Sequence, residues 1–146
     1  MAVFSRTAVL EWVGDVMRGS GTVSAGTDAF AASASFPRVA GEPHGVTTPE
    51  ELLAASHAVC FGIGLRSVIG RRGGSAQRVT VEATVTAEKG PEGIRIQSSH
   101  LRGTVEGLEG IADQQLEEIS RETAEGCTIS EAIRGNVTIT HELTSA

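Results

Sequence analysis

The chain is poor in aromatic and sulfur-bearing side chains. It has no tyrosine, one tryptophan (Trp12), four phenylalanines and two cysteines in 146 residues. An apolar share of 40% nevertheless fits a folded globular protein with a core of its own. Positive charge is also scarce. The formal charge of -6 argues against a nucleic-acid-binding surface. The pair Arg71-Arg72 is too short to change that and reads as a solvated helix end. No apolar run is expected to reach the length of a membrane span, and MAVFSRTAVLEW lacks the layout of a signal peptide because a charged residue interrupts it. The expectation is a cytoplasmic protein with no membrane partner. Metal-ligand spacing is missing too: His44, His57, His100 and His141 are scattered, so neither a metal nor a cofactor is expected. GRRGGS at 70–75 follows a helix and lacks the lysine of a phosphate-cradling loop, and GSGTVSAG at 19–26 opens a strand rather than a helix.

What is present reads as an α+β chain. Residues 3–12 alternate as a strand, Gly14-Asp15 turns it, and 21–26 and 29–36 form two more short strands. PRVAGEPHGVT at 37–47 is a loop. A long helix over 49–69 follows, with Thr48 as cap, Pro49 in the first helical position and Glu51 completing a capping box. Its apolar residues cover so wide an arc that burial on more than one side is predicted. Residues 77–88 and 94–105 form a hairpin, and a break in the phase of the second strand predicts a bulge. A helix over 109–125 ends at Gly126, SEAIR at 130–134 adds a short helical turn, and NVTITHEL is the last strand. The layout is an antiparallel sheet with helices on one face, in a single domain over 1–146.

Chemistry is concentrated in the cysteines. In a reducing compartment two cysteines are more often free or catalytic than permanently bridged. Cys60 lies mid-helix, where it is either a small packed hydrophobe or a thiolate in need of a cation or hydrogen-bond donors. Cys127 follows Gly126 at a helix end and is expected to be the more exposed of the two. A peroxidatic and resolving pair would follow from their approach.

TTPEELLAASHAVCF at 47–61 resembles the signature of the OsmC/Ohr family of organic hydroperoxide reductases. AEGCTIS at 124–130 is similar to the family's second cysteine motif, and EWVGDVMRGSGTVS at 11–24 resembles the osmotically inducible branch more than the organic hydroperoxide resistance branch. The resemblance implies an OsmC-like fold, with antiparallel sheets packed on long central helices in an intertwined homodimer. It implies a thiol peroxidase that reduces organic hydroperoxides, and hydrogen peroxide more weakly, as an antioxidant of the stress response. Cys60 would be the peroxidatic thiol, Cys127 the resolving one, Arg38 the cation that stabilises the thiolate, and Glu50 the carboxylate paired with it. Arg18 competes with Arg38 for that role. A dithiol of the lipoyl-protein kind would reduce the disulfide. Thr128 departs from the family pattern, in which many members carry proline after the resolving cysteine. The rival reading is a non-catalytic small-molecule-binding or stress-related protein that retains the fold.

Overall fold

The computed structural model describes residues 1–36 and 44–146. The chain divides into two compact units, Met1–Glu51 and Leu52–Ala146.

The first unit is an antiparallel meander of β1 (Ala8–Val13), β2 (Ser20–Ala25) and β3 (Ala31–Ala34). The turn between β1 and β2 is closed by Asp15, whose Oδ1 accepts the N–H groups of Met17 (2.9 Å) and Arg18 (2.8 Å). Gly14 supplies the left-handed backbone at this turn with φ +93°. Beyond β3, Thr47 N–H donates to Ser33 O at 2.7 Å and Ser35 N–H donates to Thr47 O at 3.0 Å. The expected cap is present: Glu51 N–H reaches Thr48 Oγ1 at 3.4 Å and starts α1 (Pro49–Arg71).

The second unit holds most of α1, the strands β4 (Arg78–Gly90), β5 (Gly93–Glu106) and β6 (Thr138–Ser145), and two further helices, α2 (Leu116–Glu125) and α3 (Thr128–Ile133). A 3-10 turn at Asp113–Gln115 leads into α2. The helix expected from residue 109 therefore begins later. Glu109 and Ser75 exchange N–H···O bonds of 2.9 Å as a bridge, and Gly110 has φ +78°, so neither residue is helical. The predicted bulge is found: Thr86 faces Ser98 and Ala87 faces Ile96, which leaves Gln97 as the extra residue on β5.

The sheet corrects one expectation. β4 and β5 are antiparallel, but β6 lies parallel to β5. Parallel neighbours need a crossover of a dozen or more residues, and the α2–α3 segment provides it. The core lies where Phe61, Leu65, Val68 and Ile69 of α1 meet Leu101 and Val105 of β5 and Ile119 of α2. Only one stripe of α1 is packed in this way, and Val59 and Ile63 on another side are 61% and 68% exposed. The expectation that no apolar run reaches membrane-span length is also corrected, because α1 is long and apolar enough by length and composition to cross a bilayer. His57, fully buried and hydrogen-bonded through both ring nitrogens, commits one side of α1 to packing within the chain.

Candidate active site

Cys60 and Cys127 are 67 positions apart in sequence and meet in the second unit. Both are free thiols. Cys60 projects from the middle of α1. Cys127 is the N-cap of α3, with extended backbone (φ -79°, ψ 115°), and its Sγ accepts Ser130 N–H at 3.5 Å. A sulfur in this cap position stands in for the serine or aspartate oxygen that more often closes a helix start.

The two sulfurs are near enough for each thiol to act on the titration of the other. Burial pushes the Cys60 thiol up, and the neighbouring Cys127 sulfur adds to this, against the N–H groups of Ile129 and Thr128 that would hold a thiolate. Burial also acts to raise Cys127. It is outweighed there by the Ser130 hydroxyl and N–H, the Cys60 thiol and Ile129 N–H, so the Cys127 thiol titrates below its ordinary value. Cys127 is the less accessible sulfur at 2% exposure, while Cys60 is half-buried. The expected order of exposure is therefore reversed. Capping α3 turns the Cys127 side chain inward onto the helix start instead of out to solvent.

The other anticipated residues are distributed as follows. Glu50 lies in the first turn of α1, and its Oε2 is buried with no hydrogen-bond partner among the described residues. Ten residues of helix, about 15 Å at 1.5 Å per residue, separate it from Cys60. Arg38 falls outside the described residues. Arg18 is exposed in the turn after β1. Sequence reasoning missed Ser99 and Ser130, which bind the two ring nitrogens of His57 at 2.7 Å each; of His57 it saw, beyond the scatter of the four histidines, only its place one helical turn before Cys60.

A family model described as OsmC-like protein matches residues 41–142. The chain belongs to the OsmC family. The chain is 29% identical over 134 residues to Peroxiredoxin OsmC of Escherichia coli, covering 92% of this chain and 93% of that protein. Among solved structures it is similar to an organic hydroperoxide resistance protein OsmC from Legionella pneumophila, with TM-score 0.77, 26% identity and 99% of each chain covered. It is also similar to the organic hydroperoxide resistance protein OhrB of Bacillus subtilis, with TM-score 0.71, 25% identity and coverage of 94% and 98%. The paired thiols of this OsmC-family chain are consistent with thiol-based redox chemistry, in keeping with those names.

Proposed function

We propose that the protein is a cysteine-based peroxidase that reduces organic hydroperoxides to alcohols, and hydrogen peroxide more weakly. The nearness of two free thiols, Cys60 on α1 and Cys127 at the start of α3, is the observation that carries this reading. Cys60, the more accessible sulfur, attacks the peroxide oxygen as a thiolate. The O–O bond breaks, the alcohol leaves with a proton, and Cys60 becomes a sulfenic acid. Cys127 then attacks the Cys60 sulfur, forming the disulfide and releasing water. Burial opposes the Cys60 thiolate, so the first step calls for a cation, the role assigned to Arg38 with Glu50 as its partner. Glu50 Oε2, buried with no hydrogen-bond partner among the described residues, is compatible with that pairing. A dithiol reductant of the lipoyl-protein kind returns the disulfide to thiols. The proposal includes one OsmC-like domain over 1–146, a homodimer and a cytoplasmic setting.

Stopped-flow mixing of the reduced protein with cumene hydroperoxide, followed by thiol counting, tests the reading. Both thiols of each chain should be consumed, and Cys60→Ser should abolish the reaction. A Cys60→Ser protein that consumes peroxide as fast as the parent overturns the proposal. Cys127→Ser should leave the first oxidation intact and accumulate a sulfenic acid that a dimedone probe traps.

A further inference from the structure

Behind Cys127 lies a buried polar chain that the peroxidase reading leaves unused. His57 is fully buried on the inner stripe of α1. Its Nδ1 is 2.7 Å from Ser99 Oγ on β5, and its Nε2 is 2.7 Å from Ser130 Oγ on α3. Ser99 and Ser130 are themselves 0% and 1% exposed. The chain ends at sulfur, because Ser130 N–H donates to Cys127 Sγ at 3.5 Å.

Proton counting narrows the options. Burial disfavours the charged imidazolium, so His57 is neutral and has one N–H to donate. If Nδ1 carried that proton, Ser130 would donate its only hydrogen to Nε2 and have none for Cys127. If Nε2 carries it, Ser130 Oγ accepts from His57 and keeps its own hydrogen free for Cys127 Sγ, while Ser99 donates to Nδ1. Only the second arrangement leaves the Ser130 hydroxyl a hydrogen to offer the Cys127 sulfur, which the Ser130 N–H already holds at 3.5 Å, and such a donor agrees with the downward direction of the Cys127 titration.

We propose that His57 is a positioning residue for the resolving thiol: through Ser130 it fixes Cys127 Sγ as a hydrogen-bond acceptor directed at Cys60. This builds on the peroxidase reading. In the resolving step the Cys127 sulfur supplies the electron pair of the new S–S bond and the S–O bond of the sulfenic acid breaks. The departing hydroxide takes up the proton shed by Cys127 and leaves as water, so no further oxidant or reductant is needed. His57 does not change charge in this step. The titratable group that faces Cys127 directly is Cys60 from α1. Arg121 and Glu125 of α2, Arg134 after α3 and His141 of β6 line the cavity beside Ser130, and β5 contributes the uncharged Ser99.

The test isolates Cys127 in a Cys60→Ser background and follows its thiolate by ultraviolet absorbance across pH. Adding His57→Leu should raise its apparent pKa by about one unit, a tenfold loss of thiolate at fixed pH. Ser130→Ala should do the same. His57→Gln, whose amide N–H can replace Nε2–H, should restore most of the shift. In the two-cysteine protein, His57→Leu should slow disulfide formation while leaving the first oxidation of Cys60 at the parental rate. Parental titration in folded His57→Leu and Ser130→Ala proteins overturns the proposal. If His57→Leu does not fold, Ser130→Ala decides alone. The titration uses no peroxide, so failure of the peroxidase reading appears separately, as a parent whose Cys60 is not oxidised.

Discussion

His57 and His141 take up protons less readily in the fold than in the unfolded chain, in both cases chiefly because burial disfavours the imidazolium. A depressed histidine pKa contributes stability that is complete above the unfolded value, near 6.5, and is lost as pH falls from there through the folded value. The melting temperature should therefore decline from pH 7.5 to about pH 5.5. His57→Gln should flatten that decline, which calorimetry across the pH series would show. The cysteines were legible in the sequence because their chemistry belongs to the residue type. Their relative exposure was not, because it depends on Cys127 capping α3 with its side chain. His57 was illegible for a different reason: its partners lie 42 and 73 positions away, and no local spacing reports such contacts.

Among the elements, β5 is held from both sides, by β4 antiparallel and by β6 parallel. Gly103 on this strand leaves room for Leu143 of β6: a Cβ there would run into Leu143 Cδ2. Gly103→Val should destabilise the protein by about 1–3 kcal/mol through overpacking, measurable by urea unfolding. Leu65→Ala, at a fully buried position on α1, should cost about 2–5 kcal/mol in the same assay. The alternation that revealed β4 and the caps that revealed α1 are local patterns, so these elements were readable along the chain. The direction of β6 was not, because a short apolar strand carries no mark of whether its neighbour runs with it or against it. The late start of α2 was hidden as well, since the Ser75–Glu109 bridge that displaces the first turn joins residues far apart in sequence.

At the scale of the molecule, α1 carries more apolar surface than the described residues cover. Val59 and Ile63, one helical turn apart, flank Cys60 in sequence and stand open, beside a groove that Val79 and Val81 of β4 help to line. The wide apolar arc was plain from the sequence, but the share of it left uncovered depends on the packing of β4, β5 and α2. In the proposed homodimer a second copy of the chain against this face would bury it, and Val59→Glu combined with Ile63→Glu should then shift sedimentation from dimer to monomer. If Cys60 is the attacking sulfur as proposed, the exposed ridge beside it in sequence has a kinetic corollary. Turnover per chain would be a property of protein concentration, falling on dilution as pairs separate and returning when the solution is concentrated again.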